Sequence, residues 1–260
     1  MTVVPFAERL ARGDRLLGTF VKSADLNITE LLAGSGLDFL IADHEHSSLG
    51  VREIEGIARA AGSAAIPLIV RLASGALAET GRLLDAGASG IQVADVHDMA
   101  APTAACRQAA YPPDGQRGLA LSHRAARFGR EPLADYLDRA ARENVVICQI
   151  ESIEGAAALP TLLAARLPVN AWFLGPTDLS ASLGRPGQLD HPEVVERLEQ
   201  LATTILDAKA PLGIYARNLT EAQAWSTRGA TLIALGSDYT LLATQVDSIV
   251  QSWRQSSTRS

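Results

Sequence analysis

The chain has 260 residues and a formal net charge of −6 at pH 7, and 47% of its residues are hydrophobic while 20% are charged. This balance is typical of globular proteins and excludes a disordered chain, and an acidic chain without basic blocks is a poor ligand for nucleic acid or an anionic membrane surface. The length exceeds an average domain, but α/β barrels of about 250 residues commonly fold as one unit.

The cysteines and the N-terminal segment bear on the cellular compartment. Cys106 and Cys148 belong to no CxxC or Cys/His cluster, so neither a structural zinc site nor a disulfide framework is predicted. The first residues lack the apolar core of a signal peptide. No uncharged apolar run reaches the roughly 18 residues of a membrane span. We therefore expect a cytoplasmic protein that binds neither membranes nor nucleic acid.

Eight short apolar segments recur along the chain. In order, they are Leu16–Val21, Phe39–Asp43, Pro67–Leu72, Gly90–Ala94, Val145–Ile150, Ala171–Leu174, Leu212–Tyr215 and Leu232–Leu235. Continuous apolarity is typical of parallel strands that are buried on both faces. The sequence thus predicts eight parallel strands.

Amphipathic segments follow these strands. They are Thr29–Ala33, Val51–Ala61, Ala76–Ala86, Ala100–Ala110, Glu154–Ala165, Pro192–Ala208, Thr220–Arg228 and Thr240–Trp253. Eight β/α units predict a single (β/α)8 TIM barrel over residues 1–253 and a polar tail over 254–260. An open doubly wound sheet is the alternative, but no GxGxxG motif follows the first strand. Two long connections, Tyr111–Pro132 and Thr177–His191, are predicted to be loops.

Catalytic groups of a barrel lie where its strands end. Glu151 and Asp178 follow the fifth and sixth strands, so we expect them to be neighbours. Two carboxylates completed by water and substrate oxygens suit Mg²⁺ or Mn²⁺. The alternative is that each carboxylate caps the next helix or pairs with an arginine.

The second and third strands also end in polar residues. His44 and His46 alternate, so they share a face if the chain stays extended there. His46 is a candidate general base, because an imidazole titrates near neutrality; alternatively it is a core histidine bonded to the backbone. Arg71 closes the third strand and suits a carboxylate or an enolate oxygen. Its alternative role is a structural ion pair with Asp43.

Two weaker signals lie after the first and sixth strands. Lys22 follows the first strand, so it keeps a Schiff-base mechanism open. Thr177 and Ser180 are placed to cap a short helix whose N-terminal amides would bind a carboxylate.

Several longer motifs match a known family. They are ELLAGSGLDFLIADHEH (30–46), IVRL (69–72), LLDAGASGIQV (83–93), YPPDGQRG (111–118), QIES (149–152), FLGPTDLSASLG (173–184), HPEV (191–194) and IALGSD (233–238). From Leu17 to Ala243 the chain resembles the HpcH/HpaI aldolase family, the metal-dependent pyruvate aldolases of the phosphoenolpyruvate/pyruvate barrel superfamily.

The resemblance implies an aldolase that reversibly cleaves a 4-hydroxy-2-oxo acid to pyruvate, or a related 2-oxo acid, and an aldehyde. It implies Glu151 and Asp178 as ligands of a divalent ion such as Mg²⁺, Mn²⁺ or Co²⁺. Pyruvate would also contact Asp178, Gln149 and the backbone around Thr177.

The resemblance also implies roles for three further residues and an assembly. Arg71 would hold the enolate oxygen, and His46 would act as acid/base through water. Asp85 would assist that histidine from a neighbouring subunit. The family forms hexamers built from trimers, so we expect a homo-oligomer whose last helix is exchanged between subunits.

Departures from the family pattern leave the acceptor aldehyde open. They include His44 and the segment Leu119–Phe128, which adds His123 and two arginines. A Claisen-type lyase or synthase acting on an acyl-CoA or a 2-oxo acid is one alternative, favoured if the arginines of 117–130 form a groove for CoA phosphates. A non-catalytic barrel is a second alternative, which has no use for the set Arg71, Gln149, Glu151 and Asp178.

Overall fold

Eight parallel strands close into a barrel in the computed structural model, which describes residues 4–257. The strands β1–β8 are Leu16–Val21, Phe39–Asp43, Leu68–Leu72, Gly90–Val93, Val145–Ile150, Ala171–Leu174, Leu212–Ala216 and Leu232–Ser237. Each strand pairs with the next along the chain, and β8 pairs with β1. The predicted TIM barrel is therefore confirmed, and the open sheet is wrong because β1 and β8 are hydrogen-bonded to each other.

Helices surround the barrel. The helices α1–α11 are Phe6–Arg12, Leu26–Ala33, Val51–Ser63, Thr80–Ala86, Ala100–Ala109, Leu133–Glu143, Ile153–Ala164, Pro176–Ser182, Pro192–Asp207, Leu219–Thr227 and Asp238–Ser257. Two 3₁₀ segments, Ser74–Glu79 and Arg124–Gly129, precede α4 and α6. The start of the predicted helix at Ala76 is therefore wrong, because the chain forms a 3₁₀ turn up to Glu79.

Two helices escape the sequence analysis. The helix α1 lies before β1, and α6 follows the first long connection. The helix α8 is the short helix expected near Thr177, and it occupies the first part of the segment 177–191, so the prediction of a loop is wrong in that part. Only Tyr136 and Ala140 of α6 are buried.

The strands bury both faces. Phe39, Ile41 and Ile69 belong to a cluster inside the barrel, which Phe6 and Leu10 of α1 close at one end. The alternate residues of the same strands pack outward against the helices. Because side chains alternate along a strand, two apolar cores require the continuous apolarity that the sequence shows.

The last helix, α11, is the least covered part of the barrel shell. Leu242, Val246 and Ile249 are large apolar side chains that it exposes to solvent. The helix runs on through Arg254 to Ser257, into the segment predicted to be a tail, and residues 258–260 lie outside the described residues. Among the described helices, none is both long and apolar enough to cross a membrane.

Candidate active site

A cavity of about 430 Å³ opens at the C-terminal ends of the strands. Five of the predicted site residues line it, namely His46, Arg71, Gln149, Thr177 and Asp178. Aromatic side chains of β1, β6 and β7 form apolar walls. The cavity is therefore lined by both charged and apolar side chains, as small-molecule sites commonly are.

Arg71, on β3, makes a two-point ion pair with Asp43 on β2. Its Nε donates to Oδ1 at 2.9 Å, and its Nη2 donates to Oδ2 at 2.7 Å. The guanidinium also lies 4.7 Å from the ring centroid of Phe20. The alternative role proposed for Arg71, an ion pair with Asp43, is therefore present, although Arg71 lines the cavity as well. Its Nε and Nη2 are engaged, which leaves Nη1 for a ligand.

Asp43 is fully buried and holds several neighbours at once. Burial alone would raise the pKa of Asp43, but the hydrogen bonds and charge of Arg71 hold this pKa well below its usual range. Lys22 Nζ lies 2.9 Å from Asp43 Oδ2. This contact engages the amine of Lys22 with Asp43 instead of leaving it free to attack a carbonyl group, so it disfavours the Schiff-base mechanism. Sequence reasoning treated Asp43 only as a partner of Arg71.

The two histidines do not share a face, so this prediction is wrong. The strand β2 ends at Asp43, whose Oδ1 accepts the backbone N–H groups of Glu45 at 3.2 Å and His46 at 3.1 Å. The chain therefore bends instead of staying extended. The side chain of His46 is half exposed and lines the cavity, whereas His44 contacts the Leu49 carbonyl and the Glu79 carboxylate.

A buried chain of amides leads to Glu151. The side-chain amide of Gln92 donates to the side-chain carbonyl of Gln149, whose own amide donates to Glu151 Oε2. The backbone N–H of Asp95 donates to Glu151 Oε1 at 2.6 Å. Gly175 is required here, because a Cβ at this position would lie 2.5 Å from Glu151 Oε2. Sequence reasoning missed Gln92, whose only signal is a polar residue within an apolar strand.

Negative charge is concentrated at this end of the cavity. Burial, together with the charges of Asp178 and Glu45, raises the pKa of Glu151 to about 7, against the lowering effect of the hydrogen bonds from Gln149 and the Asp95 backbone. Glu45 Oε2 is buried without a hydrogen-bond partner among the described residues. A bound cation would relieve this repulsion between carboxylates. Oxygen ligands of this kind suit hard divalent ions.

The carboxylates therefore fit a divalent ion, although the protein supplies only part of a coordination shell. Glu151 is buried and Asp178 is exposed on the first turn of α8. No group of three His, Cys, Asp or Glu side chains suited to a metal occurs within residues 4–257. Two carboxylates leave the other positions to water and substrate, as Mg²⁺ sites commonly do.

The N-terminus of α8 differs from the predicted cap. Gly175 is the N-cap residue and Pro176 begins the helix, so neither Thr177 nor Ser180 caps it. The Ser180 hydroxyl instead donates to the Thr177 carbonyl at 2.6 Å. Thr177 still lines the cavity.

Asp85 lies outside the cavity of its own chain. It is near the C-terminal end of α4, where its Oδ1 accepts from Arg117 Nη2 at 2.5 Å and lies 3.3 Å from His123 Nε2. Arg117 is almost fully buried, whereas Asp85 is about one-quarter exposed. Within one chain, the structure therefore does not bring Asp85 to His46.

The architecture defines a class of protein: a TIM-barrel enzyme whose charged residues meet at the C-terminal mouth. The family model of the HpcH/HpaI aldolase/citrate lyases matches residues 16–244, and the chain belongs to this family. It is a carbon–carbon lyase of the aldolase type.

Named relatives and a solved structure agree with this assignment. A hydroxypyruvate/pyruvate aldolase of Sagittula stellata is 33% identical over 92% of this chain and 93% of its own. A 4-hydroxy-2-oxo-heptane-1,7-dioate aldolase of Shigella sonnei is 33% identical over 94% and 92%. The crystal structure of an HpcH/HpaI aldolase/citrate lyase family protein from Burkholderia cenocepacia has a TM-score of 0.88 at 30% identity, covering 95% of this chain and 98% of that one.

Proposed function

We propose that the protein is a divalent-metal-dependent aldolase that cleaves a 4-hydroxy-2-oxo acid to pyruvate, or a related 2-oxo acid, and an aldehyde. One observation carries the proposal: His46, Arg71, Gln149 and Asp178 line a single cavity at the barrel mouth. Relatives named as aldolases of pyruvate and of a 4-hydroxy-2-oxo acid support the substrate class.

The residues of the chain take the following parts. His46, acting through water, removes the proton of the 4-hydroxyl group as the carbon–carbon bond breaks, which leaves the aldehyde and the enolate of pyruvate. A proton delivered from water to the methylene carbon of the enolate then gives pyruvate. Arg71 Nη1 stabilises the negative charge on the enolate oxygen of pyruvate. The backbone around Thr177 and the amide of Gln149 orient the 2-oxo acid. In the synthetic direction, His46 returns the proton to the new alkoxide.

Glu151 and Asp178 would hold the divalent ion. When bound, Mg²⁺, Mn²⁺ or Co²⁺ would polarise the keto group and stabilise the enolate as a Lewis acid. Gln149 and the Asp95 N–H fix the orientation of Glu151 through its two oxygens. Both cysteines are free and buried, which suits a reducing, cytoplasmic setting.

Removal of the metal tests the proposed function directly. Pyruvate is incubated with a panel of aldehydes in the presence of Mg²⁺, Mn²⁺ or Co²⁺, and product formation is measured before and after treatment with EDTA. We expect activity to be abolished by EDTA and restored by added metal. Glu151→Gln and Asp178→Asn should not be rescued, because each removes a charged ligand.

A different result would point to different chemistry. Full activity after rigorous chelation, with borohydride trapping of a substrate adduct on Lys22, would contradict the metal mechanism. Exposed Glu154→Gln, on the first turn of α7, is a matched control that should keep its response to metal.

We also propose a homo-oligomer, a hexamer built from trimers, in which α11 is exchanged between subunits. The support is the apolar surface of α11, on which Leu242 is 63% and Ile249 is 58% exposed. Assembly would also bring Asp85 of one subunit to His46 of another, because these residues are not neighbours within one chain.

Substitutions on α11 test the assembly. Leu242→Glu together with Ile249→Glu places charges on the apolar face, where burial of an unpaired charge is costly. We expect the double variant to dissociate in light scattering and to lose aldolase activity. Gln251→Glu, an exposed position on the opposite face of the same helix, is the control for added charge. A double variant with the molecular mass of the wild type would refute the exchange of α11.

The Claisen-type alternative receives no support from the arginines of 117–130. Arg117 is buried against Asp85. Arg124 and Arg127 line a groove of about 710 Å³ beside the residues that precede β3 and β4, at the opposite end of the barrel. Within one chain, these arginines therefore lie far from the cavity in which the chemistry would occur.

A further inference from the structure

A hydrogen-bonded pair clamps the segment that carries His46. His44 Nδ1 lies 2.5 Å from the Leu49 carbonyl oxygen, and His44 Nε2 lies 3.0 Å from Glu79 Oε2. The first contact joins the two ends of the segment 44–49. The second ties this segment to the 3₁₀ turn that precedes α4. His44 thus bridges the connections that follow the neighbouring strands β2 and β3.

The two contacts of the His44 ring restrict which of its nitrogen atoms carries a proton. A carbonyl oxygen only accepts hydrogen bonds, so His44 Nδ1 must carry a proton. In a neutral imidazole, Nε2 would then be an acceptor and would face the acceptor oxygen of Glu79. Both contacts are hydrogen bonds only if the pair holds one additional proton, on the imidazole or on the carboxyl group.

We propose that His44 and Glu79 are positioning residues for His46, and that the contact between them holds the segment 44–49 in the geometry that presents His46 to the cavity. The inference rests on the proposed function, since that function assigns the acid/base role to His46. It adds two positioning residues, neither of which lines the cavity.

Other contacts hold only the part of the segment 44–49 that is nearest to His46. Asp43 already holds the start of the segment through the N–H groups of Glu45 and His46. Lys22 Nζ donates to the His46 carbonyl at 3.2 Å. These contacts fix the backbone near His46 on one side. The distal half of the segment depends on the Ser47 hydroxyl, which accepts from the Leu49 N–H at 3.0 Å, and on His44.

Charged groups lie near the pair on several elements. The segment itself carries Glu45 and His46 beside Asp43, and Arg71 on β3 accepts the His44 N–H through its carbonyl at 3.0 Å. Lys22 follows β1, and Glu53 on α3 accepts from the Gly50 N–H at 3.0 Å. Lys22 and Arg71 are both bound to Asp43. Only Glu79 meets the ring of His44 within salt-bridge distance among the described residues.

Loss of the clamp has a defined kinetic consequence. When the contact between His44 and Glu79 is broken, His46 is less often in place. The rate of the chemical step should then fall, while the affinity for pyruvate, which Arg71 and Gln149 determine, should stay the same.

Glu79→Gln separates this idea from a merely structural role. A glutamine amide can donate to the neutral Nε2 of His44, so it keeps the clamp without the additional proton. Glu79→Ala and His44→Ala remove the clamp. Glu55→Gln, an exposed glutamate on α3 that pairs with Arg59, is the matched control.

The experiment measures kcat and KM for the full-length metal-loaded enzyme at neutral pH. We expect His44→Ala and Glu79→Ala to lower kcat about tenfold with KM for pyruvate unchanged, and the double variant to lose no more than either single variant. Glu79→Gln should restore most of the kcat that Glu79→Ala loses, because its amide preserves the contact with His44. Glu55→Gln should behave as the wild type.

Hydrogen exchange of the segment 44–49 supplies a readout independent of activity. Protection should fall in both alanine variants and be kept in Glu79→Gln. Wild-type kcat or wild-type protection in both alanine variants would overturn the inference, as would a Glu79→Gln variant no more active than Glu79→Ala. Failure of the aldolase assay in the wild type would instead refute the proposed function, and the exchange data would still test whether His44 and Glu79 hold the segment.

Discussion

Replacing His46 by alanine is expected to slow aldol cleavage by about 100-fold to 10,000-fold, the usual contribution of a general acid/base. The affinity for pyruvate should be nearly unchanged, because Arg71, Gln149 and the metal would still bind it. The measurement is kcat together with pyruvate affinity between pH 6 and 9. The half-exposed side chain of His46 makes few packing contacts, so the variant should fold as the wild type does.

His97 provides the matched control for this experiment. It is about as exposed as His46 and lies just after β4, but it does not line the cavity. His97→Ala should keep wild-type kcat at every pH. His44→Ala should cost less than His46→Ala, since it acts only on the position of the segment. A His46 variant that retains the acidic limb of the pH profile, while His44→Ala removes it, would reassign the base.

Replacing Arg71 by alanine is expected to lower kcat about 100-fold to 1,000-fold, as the loss of one oxyanion donor does. Exchange of the methyl protons of pyruvate with solvent should fall by the same factor, because this exchange requires the enolate but no aldehyde. Arg71→Lys should rescue only part of the rate, since an ammonium group cannot bind Asp43 at two points and also reach the enolate.

The ion pair with Asp43 adds a second expected effect. Asp43 is fully buried, and removing one partner of a buried pair costs about 3–5 kcal/mol. Lys22, 2.9 Å from Asp43, should retain part of that stability. The free energy of unfolding is therefore measured beside the exchange rate. An Arg71→Ala variant that is destabilised but exchanges methyl protons at the wild-type rate would show that Arg71 is purely structural.

Much of the site could be predicted because strand ends converge in a barrel. Arg71, Gln149 and Asp178 follow or close apolar strands in the sequence, and the closed sheet brings their side chains to one cavity. The resemblance of the motifs to a known family then implied a chemical role for each of these residues. Glu151 was predicted in the same way, and the structure places it behind Gln149, at the end of the cavity where negative charge accumulates.

The orientation of His44 and His46 could not be predicted in this way. Alternation holds only while a strand continues, and the chain leaves β2 at Asp43. The bend arises because a carboxylate at the strand end accepts two following N–H groups, which gives the backbone an alternative to extended pairing. Nothing in the local sequence indicates that His44 would meet Glu79, which lies 35 positions further along the chain.

The sequence by itself determined the eight-stranded barrel, the positions of its strands and the set of polar residues at their ends, because hydrophobic periodicity is a local property of the chain. The tertiary structure alone decided which of these residues pair. It joined Arg71 to Asp43, Asp85 to Arg117 and His44 to Glu79. These contacts depend on distances between separate β/α units, which barrel closure sets and which no local pattern encodes.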